Sequence, residues 1–354
     1  MAMSSNGLID RRDPQLAEES AVVLATLVSA TGSTSKKVGA KMIVGQSGRL
    51  LGGVTIGGCV DAQVIEAADA LVANGGRRLL SISLDDDEAW EIGLTCGGTV
   101  NVMLDRAEPA RAGDALVSAH AFAADLLAQG NAAVVVTPVE GAQAALVVSD
   151  TDARSGSLGT TALDDAAALL AVDVLRQGAR VETIDDRQYF FDRLAPQTTL
   201  VIVGAGQIAM SLTRFARELE MHTIVVDGRE RYATRERFPD ADELRVGMPS
   251  EIVASIAPTK GVAVTLVAHD YKYELPILRR LLREPVGYIG MLGSKKRGAA
   301  MRDMLRDEGF TDDELARIHT PIGLDLGGKS AAEVALSILA EVVSIRSGKL
   351  GTRA

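Results

Sequence analysis

No stretch restricts the fold of this chain more than residues 200–209, LVIVGAGQIA. Leu200 to Val203 is apolar without alternation, the pattern of a parallel strand buried on both faces. Gly204, Gly206 and Ala209 then fit G-x-G-x-x-A between a strand and a helix. The first glycine permits a tight turn and the second lets the backbone approach a pyrophosphate. The small third residue lets helix and strand pack closely. The helix N-terminus beyond offers unpaired N–H groups and a partial positive charge to an anion. Asp227 comes 23 residues after Gly204, at the end of the next predicted strand. A carboxylate there would bond a ribose 2′-hydroxyl and repel a 2′-phosphate, which favours NAD over NADP. Arg229 and Arg231 nearby work against that preference.

The pattern around this motif alternates. Predicted strands cover 222–227, 241–247, 261–270 and 286–293, with helical patterns between them and a last helix over 331–346. That rhythm reads as a doubly wound parallel sheet with right-handed crossovers. The preceding half differs. It reads as a strand (22–30), a hairpin (40–45 and 49–54), a helix (60–73), a strand (79–84) and a glycine-rich turn running into another strand (93–104). An alanine-rich helix (111–128), a second hairpin, a flexible loop (151–161), a helix (164–177) and a strand near RVETID follow. Residues 193–199, RLAPQTT, read as a linker. The fold class is therefore α/β, with an N-terminal α/β domain over 1–192 and a Rossmann-like domain over 198–347.

Composition removes some functions. The chain has 354 residues, 47% of them hydrophobic, and a formal net charge of −10. An acidic chain has no basic excess to release counterions from phosphate backbones, so nucleic-acid binding is not expected. The start, MAMSSNGLIDRRDPQL, lacks an apolar signal core, and no run of about 18 apolar residues occurs. The expectation is a cytoplasmic protein without a membrane partner. Two cysteines cannot build a disulfide framework and read as free thiols.

Both cysteines stand against glycines. Cys59 follows Gly57 and Gly58 at a predicted helix start, where the dipole and free N–H groups favour the thiolate. Cys96 lies in LTCGGTV, before Gly97 and Gly98. Two thiols in glycine-rich turns suit a soft metal centre or a sulfur-transfer site. The ordinary alternative for each is a small buried hydrophobe. His120, His222, His269 and His319 are scattered and show no zinc-ligand spacing. His269 and Asp270 end a predicted strand, where open α/β sheets place ligands. Such a pair suits acid–base work, or Asp270 caps the helix of YKYELPILRRLL. In YIGMLGSKKR, Ser294 caps a basic first turn that suits a phosphate or is a solvated loop. His319 precedes a proline and reads as structural.

Several of these stretches together resemble the XdhC/CoxI family of accessory factors for xanthine dehydrogenase and carbon monoxide dehydrogenase. ATLVSATGSTSKKVGAKMIV followed by GGVTIGGCVDAQVIEAA is similar to its N-terminal domain, and LTCGGTVNV to its second cysteine turn. VIVGAGQIA, VAHDYKYELPILRRLL, GYIGMLGSKKR and HTPIGLDLGGKSAAEVALSILAEVV are similar to its Rossmann domain. Departures are the lack of a proline in GSTSKK and Asp61 where glutamate is commoner. The resemblance implies a chaperone that binds the molybdenum cofactor (molybdopterin), assists its sulfuration with a cysteine desulfurase, and inserts it into a molybdenum hydroxylase apoenzyme. Carried over, Cys59 and Cys96 are the residues nearest the metal, and Gly57, Gly58, Gly97 and Gly98 shape the pocket. Gly204, Gly206, Ala209, Asp227 and His269 remain the candidates for a second ligand such as NAD. By analogy, a homodimer is an expectation. The alternatives are an NAD-dependent oxidoreductase using His269 and Lys272, and an interaction protein with a vestigial cleft. No complete acid–base–substrate constellation emerges, so a non-catalytic maturation factor is favoured.

Overall fold

The structure is a computed structural model that describes residues 7–31, 37–53, 59–84, 98–268 and 270–347. The chain divides into two compact units, Met1–Ala195 and Pro196–Ala354.

The first unit opens with α1 (Pro14–Ala17) and then β1 (Val22–Ala30), β2 (Lys41–Val44) and β3 (Leu50–Gly53). Helix α2 (Cys59–Asn74) leads to β4 (Arg77–Leu84) and β5 (Gly98–Ala107). These strands form one antiparallel sheet, ordered β3-β2-β1-β5-β4. Seven successive residues of β1 are buried, which explains its run of small and β-branched residues. Val23, Ala25 and Leu27 pack with Val60, Val64 and Ala68 of α2 on one face. Val22 and Leu24 join a cluster with Leu116 and Val117 on the other.

The second sheet of this unit follows α3 (Ala115–Ala128). Strands β6 (Ala133–Pro138), β7 (Ala145–Ser149) and β8 (Arg154–Ser157), helix α4 (Thr161–Gln177), and β9 (Arg180–Ile184) and β10 (Arg187–Leu194) complete it. The strand order is β8-β7-β6-β10-β9. Helices α3 and α4 cover opposite faces, because successive valines of β6 point alternately into two clusters. Two readings of the sequence change here. The loop expected over 151–161 contains β8, and the stretch expected as a linker begins inside β10.

Two buried ion pairs tie the sheets of this unit together. Lys41 Nζ lies 2.9 Å from Asp192. Arg77 pairs with Asp105, both side chains 1% exposed, and donates to the Pro138 carbonyl at 2.6 Å. His120 of α3 is fully enclosed and accepts the Ile9 N–H at 3.0 Å.

The second unit is a parallel sheet. Its elements are β11 (Thr199–Val203), α5 (Gln207–Glu218), β12 (His222–Asp227), β13 (Glu243–Val246), α6 (Pro249–Ala254), β14 (Val262–Leu266) and α7 (Tyr271–Leu281). β15 (Tyr288–Met291), α8 (Lys295–Asp307), α9 (Asp312–Ala316), β16 (Ile318–His319) and α10 (Ala331–Arg346) follow. The order β13-β12-β11-β14-β15-β16 is that of a dinucleotide-binding Rossmann sheet. Leu200 and Ile202 of β11 face a layer with α5 and α10, while Val201 and Val203 face one with α7 and α8. Sheet and helices thus form the expected doubly wound α/β fold.

Two outcomes follow. Burial holds His120 neutral down to about 3, whereas the unfolded imidazole protonates near 6.5. Between those values only the unfolded chain gains the proton, so stability falls as pH drops from about 6.5 toward 3. Urea unfolding at pH 7 and pH 5 should show wild type losing about 2 kcal/mol more than His120→Gln. Arg77→Met leaves Asp105 buried and uncompensated and should cost about 3–5 kcal/mol in the same assay. Adding Asp105→Asn should recover part of that loss.

Candidate functional site

A cleft of the second unit opens at the C-terminal ends of β11, β12 and β14. It has a volume of about 120 Å³ and is lined by Gly204, Asp227, Arg229, Pro249, Asp270 and Tyr273 among others. The glycine loop fixes one wall. Gly204 has φ +110°, and a Cβ there would lie 2.7 Å from the Ala268 backbone, so a side chain cannot be accommodated. A Cβ on Gly206, the residue before α5, would meet none of the described residues within 4 Å. Ala209 is fully buried where α5 packs on the sheet. The tight turn at Gly204 and the close packing at Ala209 match the spacing.

Asp227 ends β12 with its side chain 6% exposed. Its carboxylate is bonded on every side. The Ala205 N–H donates to it at 2.7 Å, the Arg229 N–H at 2.9 Å, and the Arg229 guanidinium at 3.0 and 2.9 Å. Burial opposes its charge, but these donors outweigh burial and hold the carboxyl below the ordinary aspartate range. The Arg229 guanidinium also lies 3.9 Å from the centre of the Tyr232 ring. Sequence reading notes Arg229 as a neighbour and misses the ring; its signal is the spacing in GRERY.

The other family-like stretches are knit together by buried charges. Asp270 caps α7, accepting the Lys272 N–H at 2.9 Å, and also lines the cleft. Glu274 of α7 is fully buried and pairs with Arg297 of α8, which donates to the Leu292 carbonyl at 2.7 Å. Burial pushes the Glu274 carboxyl up, and Arg297 works against it. Ser294 caps α8 by accepting the Arg297 N–H at 3.2 Å, and Lys295 and Lys296 are exposed. Glu341 of α10 accepts from Tyr288 at 2.7 Å and from the Gly323 N–H at 2.8 Å, with His319 at 3.4 Å. Tyr288 and His319 stack at 5.0 Å.

The cysteine region lies in the first unit. Cys59 is the first residue of α2, and its side chain lies outside the described residues, as do Gly57, Gly58, Cys96, Gly97 and His269. Gly98 opens β5. The strand register places the strand ends that flank both cysteines in the sequence. Gly53, where β3 ends, pairs with Met42, at the start of β2. The start of β2 pairs with β1, whose end, Ala30, pairs with Val100 beside the start of β5. The exit from β3 and the entry to β5 therefore point to the same end of the sheet. Val60, next to Cys59, and Val100, two residues after Gly98, are buried in one cluster. Asp61, in the first turn of α2, is also buried. Among the described residues there is no group of three or more histidines, cysteines and acids able to hold a metal, and no helix long and apolar enough to cross a membrane.

Comparison with known proteins matches both units. Residues 200–342 match the profile described as the XdhC Rossmann domain, and residues 15–83 that of the XdhC and CoxI family. The chain is 25% identical over 336 residues to a Bacillus subtilis protein described as a probable xanthine dehydrogenase subunit, covering 94% of this chain and 96% of the relative. It is 26% identical over 325 residues to the Escherichia coli molybdenum cofactor insertion chaperone PaoD, covering 92% of this chain and 83% of that protein. A crystal structure described as a xanthine dehydrogenase from Bacillus halodurans has the same fold, with a TM-score of 0.71 and 24% identity over 95% of each chain. The two profiles fall on the two units in order, and the chain belongs to the XdhC and CoxI family.

Proposed function

We propose that this protein is a maturation factor for a molybdenum hydroxylase, such as a xanthine dehydrogenase, and that its cargo is the molybdenum cofactor. In this reading Cys59 and Cys96 hold the metal end of the cargo as thiolates, and Gly57, Gly58, Gly97 and Gly98 leave room for the pterin. The observation that supports it is the register of the first sheet: β3 ends and β5 begins at the same end, and Cys59 follows the one and Cys96 precedes the other in the sequence. Thiolates are soft donors, suited to a metal already bound by a dithiolene. The position of Cys59 at the start of a 16-residue helix favours its anionic form. The names of the relatives support a maturation role: one is an insertion chaperone, and another belongs by its name to a xanthine dehydrogenase. Sulfuration by a cysteine desulfurase, delivery to the apoenzyme and a homodimeric assembly belong to the same proposal.

A nicotinamide-dependent oxidoreductase is the competing reading, and the intact glycine loop favours it. It requires a substrate-dependent change in nicotinamide absorbance. The chaperone reading requires none.

Protein purified from a molybdenum-replete host should release pterin and molybdenum, measured by mass spectrometry and metal analysis. Cys59→Ala and Cys96→Ala should each lower that content by about tenfold or more, the scale at which even outer-sphere partners of a metal alter affinity. Circular dichroism should be unchanged. Full pterin loading in both variants would overturn the assignment.

A further inference from the structure

The cleft of the second unit carries its own ligand signature, independent of the cysteines, all of it within residues 196–354. A carboxylate at the end of the second Rossmann strand ordinarily accepts from a ribose 2′-hydroxyl. Here that carboxylate is already saturated. Both oxygens of Asp227 accept from Arg229, and the Ala205 N–H adds a further bond. A neutral ribose finds no open acceptor at this position.

Of the groups lining the cleft, Asp270 is taken up in capping α7, and Arg229 offers an exposed guanidinium. The Arg229 side chain is 55% exposed while paired to an almost completely buried acid. A second guanidinium, that of Arg237, lies 5.3 Å from the centre of the same Tyr232 ring. Its partners are the Tyr232 carbonyl at 2.5 Å and the Met210 sulfur at 3.7 Å, neither of which carries charge. Two guanidiniums thus flank one half-exposed ring, and only one of them is matched by Asp227. Glu230 and Glu236 in the same loop are exposed, and Glu236 is engaged with Thr234. Val246 and Met248, 47% and 43% exposed, bracket Gly247, whose N–H donates to the Asp227 carbonyl at 3.2 Å. An exposed guanidinium in the cleft with a second one across the same ring suits a ribose that bears a phosphate.

We infer that the cleft binds a dinucleotide phosphorylated on its ribose, of the NADP class, with Arg229 as the specificity-determining residue. Arg229 reads the phosphate and Asp227 orients Arg229 rather than the ribose. This reverses the NAD preference suggested by the isolated acid at position 227.

Calorimetric titration of the full-length protein with NADPH and with NADH tests the assignment. NADPH should bind about tenfold or more tighter than NADH. Arg229→Gln should abolish the difference, by weakening NADPH and by freeing Asp227 to accept from the ribose 2′-hydroxyl of NADH, with circular dichroism unchanged. Asp227→Asn frees Arg229 from its ion pair and should keep the NADPH preference. Equal or tighter binding of NADH, binding of neither nucleotide, or an undiminished preference in Arg229→Gln would each overturn the inference. None of these results bears on pterin content, so failure of the nucleotide assignment and failure of the chaperone reading are separable.

Discussion

The second unit is organised around one close approach. At Gly204 strand β11 passes so near Ala268, beyond the end of β14, that no Cβ fits between them. The Gly204 N–H extends the pairing to β12 by donating to the Val226 carbonyl at 2.8 Å, and Val267 N–H extends it on the other side to Val203 at 2.9 Å. The turn is therefore pinned from both neighbouring strands before α5 begins. Ala205, one residue on, aims its N–H at Asp227. The cleft and its polar wall exist because three strand ends converge at that glycine.

Around this point the charged residues act mainly as architecture. Glu274 with Arg297, and Glu341 with Tyr288 and His319, join helices and loops far apart in sequence. A buried charge without its partner is costly, so each network fixes the relative placement of the elements it joins. That accounts for much of the distinctive sequence in the second unit. Stretches such as HDYKYELPIL and GYIGMLGSKKR read as chemistry when seen alone. In the fold, Glu274 and Arg297 lock α7 to α8, and Asp270 and Ser294 cap those helices.

Much of this is legible in the sequence, for identifiable reasons. The Rossmann sheet announces itself because its strands are buried on both faces and its loop needs two glycines at fixed spacing. Helix α10 is readable from its apolar period, and Ser330 and Glu333 close a capping box at its start. Strand β10 escapes notice because its hairpin turns on Asp185 and Asp186, both at positive φ, where Asn-Gly is the usual signal. Strand β8 escapes because Arg154–Ser157 carries no apolar residue and sits at a sheet edge. The saturation of Asp227 is beyond pattern reading, since spacing locates a carboxylate and says nothing of how many donors surround it. That β3 ends and β5 begins at one end of the sheet likewise depends on strand order, which local sequence does not encode.

In the proposed reading the two units divide the work between them: the cysteine-bearing first unit takes the cargo, and the cleft that holds Arg229 takes a nucleotide. The central claim is that sulfur from this chain reaches molybdenum. X-ray absorption at the molybdenum edge of cargo-loaded protein tests it directly. Sulfur neighbours beyond those of the dithiolene are expected, and they should be lost when both cysteines are replaced by alanine. A metal shell identical in wild type and in that double variant, at equal loading, would contradict the claim.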